Sequence, residues 1–220
     1  AAPTEQPTPE PDPVQQLLEE MTLEQKVGQL FLVRPDSLDL SQTQDQINDA
    51  KADGVTELTD AMRQTLAEYP VGGVVIFGKN LESPQQITQF LEDLQQASDT
   101  PLFTAIDEEG GLVARLANNA AFDLPQYESA AAVGTSGNPE DARAMGRTIG
   151  GYLKEYGFNL DFAPVADVNT NPDNPVIGTR GPPPTLWAGR APGLPMRALP
   201  APSSISPAMA IPARIPTLAP

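Results

Sequence analysis

The 220 residues contain no histidine and no cysteine. Without thiols there is neither a disulfide framework nor a thiolate metal site, and without imidazole the usual zinc ligand and the usual proton carrier near neutral pH are both missing. Basic residues are scarce too, 13 against 29 acidic ones. The formal net charge of −16 argues against nucleic acid as a partner, because phosphate contacts need clustered Lys and Arg. No apolar run approaches the ~20 residues of a membrane-spanning helix, and no charged segment leads into a short apolar one of secretory-signal type. The last forty residues lack acid altogether: all 29 acidic residues precede residue 181, while 11 of the 25 prolines follow it. Two compositions meet near Arg180, and each has its own reading.

Residues 1–12 are rich in Ala, Thr, Pro and Glu and read as a flexible linker leaning to polyproline II, of the kind left when an export signal or lipoprotein anchor is removed. An extracellular or cell-envelope location is the expectation. From residue 13 to 180 the pattern is that of alternating helices and strands. Thr22-Leu-Glu-Gln25 fits a capping box, and Gln29-Leu-Phe-Leu-Val33 is an apolar run of strand length. Residues 56–69 carry helical spacing and lead into Val71-Gly-Gly-Val-Val-Ile-Phe77, a buried type of strand. Ser83-Pro84 caps a helix whose apolar face is Ile87, Phe90, Leu91 and Leu94. Leu102-Phe-Thr-Ala-Ile106 is a third strand. Asn138-Pro139 opens a further helix, Gly157 closes it, and the apolar stretch 158–168 supplies a fourth strand. Strands alternating with helices predict an α/β fold with a parallel sheet or barrel.

Each predicted strand ends in polar or charged residues: Arg34, then Lys79 and Asn80, then Asp107, then Asp167 and Asn169. In a parallel barrel such ends share one face, where ligand sites sit. Solvated loops also place charges there, so Arg34 and Lys79 fit either reading. Asp107 stands apart, because Glu108, Glu109 and the pair Gly110-Gly111 follow it, and two glycines permit a tight turn or a close approach of backbone to ligand. An acidic cluster of this kind points to a polar-substrate site without separating a sugar from a metal.

Five segments, in order, resemble the N-terminal domain of glycoside hydrolase family 3, and most of all its bacterial β-N-acetylhexosaminidase branch. They are Met21-Thr-Leu-Glu-Gln-Lys-Val-Gly-Gln-Leu30, Gly72-Gly-Val-Val-Ile-Phe77, Ala105-Ile-Asp-Glu-Glu-Gly-Gly111 with Arg115, Asn159-Leu-Asp-Phe-Ala-Pro-Val-Ala-Asp-Val-Asn169, and Val176-Ile-Gly-Thr-Arg180. The resemblance implies a (β/α)8 barrel, here its N-terminal part, and a retaining mechanism through a glycosyl-enzyme intermediate. It implies terminal β-linked N-acetylglucosamine as substrate, from peptidoglycan or chitin fragments, with no cofactor and no metal. By the same likeness Asp107 holds sugar hydroxyls and Arg180 reaches the sugar from the next strand's loop, with Asp167 and Arg115 in support. Asp161, Glu108 and Glu109 are read either as solvated acids or as supports behind those ligands.

The resemblance stops at Arg180. The family continues with a Lys-His-Phe-Pro-Gly-His-Gly segment and then a loop whose Asp and His act as the acid/base pair. Residues 204–212 can be encoded so that a shifted frame reads Lys-His-Phe-Pro-Gly-His-Gly-Asp-Thr, and residues 213–219 so that it reads Glu-Asp-Thr-His-Thr-Gly. Residues 181–220 therefore read as an unstructured, out-of-frame tail, with a Pro/Ala-rich cell-wall stalk as the alternative. On this reading the chain has no catalytic residue of its own: the nucleophilic Asp belongs to a later strand and the acid/base His is missing. The expected function is that of a β-N-acetylhexosaminidase fragment, inactive alone. A family 3 β-glucosidase and a non-catalytic cell-wall sugar-binding protein are the alternatives.

Overall fold

The computed structural model describes residues 12–165, 167, 169–171 and 173–181. The predicted linker at 1–12, save Asp12, and the predicted tail, save Gly181, lie outside the described residues. Asp12 accepts the Val14 N–H at 2.9 Å and caps α1 (Pro13–Glu20). Thr22 and Gln25 form the expected capping box on α2 (Leu23–Gly28). The apolar run that follows is mostly turn, and only β1 (Leu32–Val33) joins the sheet. Gln29 ends α2 and turns inward instead, its amide reaching the carbonyls of Pro70 and Val71.

After β1 the chain makes an excursion holding a 3-10 turn (Pro35–Leu38) and the short α3 (Gln44–Asn48), then enters α4 (Asp60–Glu68) and β2 (Gly73–Ile76). Ser83 caps α5 (Pro84–Gln96) as predicted, and its apolar face Ile87, Phe90, Leu91 and Leu94 is fully buried. Each such side chain withdrawn from water stabilises the fold by about 1.5–3 kcal/mol. Next come β3 (Phe103–Ile106), β4 (Glu108–Gly110), β5 (Val113–Ala114), α6 (Ala130–Thr135) and α7 (Pro139–Glu155). Gly157, at φ +94°, turns the chain out of α7 toward β6 (Leu160–Asp161).

Strands β1, β2, β3 and β6 form one sheet in that order, parallel throughout, with Val74 opposite Thr104 and Ile106 opposite Asp161. This is the predicted α/β architecture. Thr104 and Asn159 fix the last register: the Thr104 N–H donates to Asn159 Oδ1 at 2.8 Å, and the Thr104 hydroxyl donates to the Gly157 carbonyl at 2.9 Å. The fourth strand is shorter than the apolar stretch 158–168 suggests, with two residues in the ladder. Phe90 and Leu94 of α5, Ile149 and Leu153 of α7, and Val74, Ile76 and Ile106 of the sheet share one buried core. Because all four strands run the same way, their C-terminal ends converge on one side, carrying Arg34, Phe77, Asp107 and Phe162.

Candidate active site

The acidic run at the end of β3, predicted as a loop, continues as a strand. Asp107 leaves β3, Glu108–Gly110 is β4, and β4 doubles back on β5 as an antiparallel hairpin. Alternation along a strand sends successive side chains to opposite faces, and the three acids obey it. Asp107 and Glu109 each pair with an arginine, and both charges act on Arg180. Glu108 points the other way, fully buried against Tyr152 of α7. Solvation is therefore excluded for Glu108, and Glu109 is also buried. Gly110 and Gly111, at φ +84° and +67°, make the turn as expected, and a Cβ on Gly111 would collide with the Glu128 carbonyl.

Asp107 Oδ2 receives Arg115 Nη2 at 3.1 Å, with the two side chains 25% and 32% exposed. Both therefore stand at the surface of the sheet's C-terminal side. Among the described residues no donor reaches Asp107 Oδ1, and Arg115 Nε is buried without a hydrogen-bond partner. Buried orphan donors are rare in folded proteins. Arg180 grips Glu109 with Nε, at 2.8 Å, and with Nη2, while Nη1 donates to the Val176 carbonyl at 3.2 Å. The bond to Glu109 raises its pKa above the ordinary guanidinium value, with Asp167 and Asp107 contributing.

Sequence reasoning brought Asp107, Arg115, Arg180 and Asp167 together, and the structure places all four near one another by a route it did not foresee. The link is Glu109, which is Arg180's partner. Asp167 is exposed and acts on Arg180 through its charge, and its carbonyl packs on Gly181. Asn169 donates to the Gly178 carbonyl at 2.9 Å and leaves its Oδ1 buried and unpaired. Asp161 accepts the Glu108 N–H at 3.0 Å. Burial, then the charges of Glu108, Asp107 and Glu109, push its pKa up to about 7, against the lowering effect of that backbone bond.

The ends of β1 and β2 are arranged differently. Lys79 is withdrawn into a buried cluster, where it meets Asp36 at 3.2 Å and donates to the carbonyls of Gln46 and Ile47. Asn80 reaches Asp36 at 3.0 Å and the Val55 carbonyl at 2.9 Å. Arg34 also holds the Ile47 carbonyl, at 2.7 Å, and lies 4.2 Å over the Phe77 ring, against which Arg115 packs at 5.5 Å. Lys79, Asn80 and Arg34 thus anchor the excursion 35–57. Phe77 was missed in the sequence; an aromatic directly after the β2 run, beside the strand-end cations, was the available signal for an aromatic platform.

A carboxylate with a free oxygen beside a guanidinium with a free N–H can accept from one hydroxyl and donate to another, which is how a sugar ring is held. Residues 22–182 match the glycosyl hydrolase family 3 N-terminal domain. The chain belongs to glycoside hydrolase family 3. It is 36% identical over 131 residues to beta-hexosaminidase A of Pseudoalteromonas piscicida, covering 57% of this chain and 22% of that protein. Among solved structures it is similar to a family 3 beta-N-acetylglucosaminidase from Paenibacillus sp., at 34% identity and a TM-score of 0.57 over 71% of this chain and 26% of that one. A beta-N-acetylhexosaminidase from Beutenbergia cavernae gives 27% identity and a TM-score of 0.55 over 72% of this chain and 44% of that one. The matched part of the chain thus spans between 22% and 44% of the length of these relatives.

Proposed function

We propose that the family 3 protein to which these residues belong is a retaining β-N-acetylhexosaminidase, which removes terminal β-linked N-acetylglucosamine from peptidoglycan- or chitin-type glycans. The observation that carries this reading is the Asp107–Arg115 pair at the end of β3. Asp107 Oδ1 and Arg115 Nη1 carry no hydrogen bond among the described residues, on side chains 25% and 32% exposed, in a chain whose relatives include enzymes of that name. Asp107 accepts from sugar hydroxyls and Arg115 donates to one, while Arg180, fixed by Glu109, lends charge and donors from the neighbouring loop. Asp167 shapes the field around Arg180. The 220 residues supply binding and not bond cleavage, for they contain no histidine to act as acid/base. We place the protein in the cell envelope or outside the cell, on the composition of residues 1–12.

Isothermal titration of the 220-residue chain with N-acetylglucosamine tests the site. Binding that Asp107→Ala removes is expected, with no chromophore released from a p-nitrophenyl N-acetyl-β-glucosaminide. Glucose binding as tightly as N-acetylglucosamine would favour a β-glucosidase instead, and turnover by the chain would refute the division between binding and chemistry.

A further inference from the structure

Glu108 has a carboxylate with no solvent exposure, and three donors use its two oxygens. Leu116 N–H reaches Oε2 at 2.9 Å, while Ala117 N–H at 2.9 Å and the Tyr152 hydroxyl at 2.8 Å reach Oε1. The placement of those partners gives the carboxylate a purpose. Glu108 directly follows Asp107, and Leu116 and Ala117 directly follow Arg115. One buried side chain therefore ties together the two backbone segments that carry the surface ion pair. The other side of the tie is fixed as well. Ile106 is paired with Asp161 in the sheet, and the Glu108 N–H donates to Asp161 Oδ1 at 3.0 Å, so the backbone flanking Asp107 is held before and after it.

A carboxylate is a costly way to fill space between a sheet and a helix, because it must be taken out of water. Leucine would pack there without that cost, but it would leave the Leu116 and Ala117 N–H groups without acceptors, since both residues are buried and lie past the end of the β4–β5 hairpin. Only a planar, two-oxygen acceptor can hold consecutive N–H groups and a hydroxyl together. Tyr152 in turn orients the carboxylate from α7; burial, and then the charge of Glu108 and the bond to it, raise its pKa, so its hydroxyl stays protonated and donating.

We propose that Glu108 is a positioning residue for the sugar site: through the backbone of residues 116 and 117 it holds Arg115 against Asp107, with Tyr152 as its support. The assignment rests on the reading of Asp107 and Arg115 as sugar ligands. It separates the three consecutive acids by role: Asp107 to ligand, Glu108 to scaffold, Glu109 to Arg180.

Arginine side-chain 1H–15N spectra of the whole chain test it at low temperature, with Arg115 and Arg180 assigned through Arg115→Lys and Arg180→Lys. In the wild type, resolved Nη signals from Arg115 are expected, as befits a guanidinium that does not rotate freely. Glu108→Gln keeps the shape but replaces one acceptor by a donor facing donors. It should collapse the Arg115 signals while leaving those of Arg180, whose partner Glu109 is untouched. Tyr152→Phe removes a single donor and serves if the first variant does not fold; a several-fold faster Arg115 exchange is expected there. Unchanged Arg115 signals in the folded variant would overturn the proposal, and so would joint loss of the Arg115 and Arg180 signals, the mark of a merely structural part. Titration with N-acetylglucosamine separates this claim from the one beneath it. Wild-type chain that does not bind overturns the sugar reading, whereas wild-type binding that Glu108→Gln leaves unchanged overturns the positioning role; about tenfold weaker binding is the expected result, the size of a misaligned charged hydrogen bond.

Discussion

The ends of β2 and β3 carry the same kind of residue and put it to opposite uses. At the β2 end, Lys79 and Asp36 are 6% and 0% exposed in their side chains, and Asn80 and the carbonyls of Gln46 and Ile47 saturate them. At the β3 end, Asp107 and Arg115 are a quarter to a third exposed, and Asp107 Oδ1 and Arg115 Nη1 are unused among the described residues. The first arrangement has no capacity left for a ligand and serves to hold the long excursion 35–57 on the sheet. The second has capacity and faces outward. A charge at the end of a parallel strand is thus not itself a sign of function; what distinguishes a site is valence left over after the fold has taken its share.

The sharpest way to test this contrast is to exchange its consequences. Lys79→Met should leave Asp36 buried beside an apolar side chain and lower stability by about 3–5 kcal/mol, the cost of breaking a buried pair. Denaturant unfolding measures this, and N-acetylglucosamine affinity in the folded fraction should not change. Asp107→Ala should do the reverse. Affinity is expected to drop by about 1.5–3 kcal/mol, the worth of hydrogen bonds to a charged group, with a melting temperature close to that of the wild type.

Asp161 offers an intermediate case, since it touches the site's scaffold and titrates. Its folded pKa of about 7 lies above the ordinary carboxylate value, so between those values the folded state binds more proton than the unfolded one. Stability from this group is therefore present at low pH and lost as pH rises through about 7. Asp161→Asn keeps an oxygen for the Glu108 N–H. It should be more stable than the wild type above pH 7, by on the order of 1–2 kcal/mol, and the gap should close toward pH 4. A gap that widens on acidification would contradict the sign. Smallest of all, Glu140→Ala removes exposed pairs with Arg143 and Arg147, 3.5 and 4.0 Å long, and should shift stability by no more than about 0.5–1 kcal/mol.

Much of the fold was legible because its signals are local. Caps at Thr22, Ser83 and Asn138 and the apolar face of α5 depend on a few neighbouring residues, and each stands where it was read. The family was legible from five ordered segments. What escaped depends on distant partners. Residues 29–31 are as apolar as a strand but are spent on a turn beside Pro70 and Val71. The β4–β5 hairpin hides in a run of acids and glycines that local propensity assigns to a loop, and one of the bonds that hold it comes from Tyr152, 44 residues away in sequence. Glu109 as the partner of Arg180, 71 residues on, is of the same kind. Asp107 and Arg115 could be named from the likeness, yet only the geometry shows which of their atoms remain free.

The alternation of Asp107, Glu108 and Glu109 across the two faces of the β3–β4 segment also sets a limit on how this region can change over time. Substitution removes one side chain and leaves the direction of the other two unchanged. Loss or gain of a single residue between Ile106 and Gly110 acts on all of them together: the acid meant for the ligand turns toward α7, the acid meant for the core turns outward, and Arg180 loses its mate. The loop 118–128, which joins the hairpin to α6, carries no such count beyond its own contacts. Descendants of this gene should therefore drift in spelling along the β3–β4 segment while keeping its length, and vary in length only where the chain is not keeping step with the pleat.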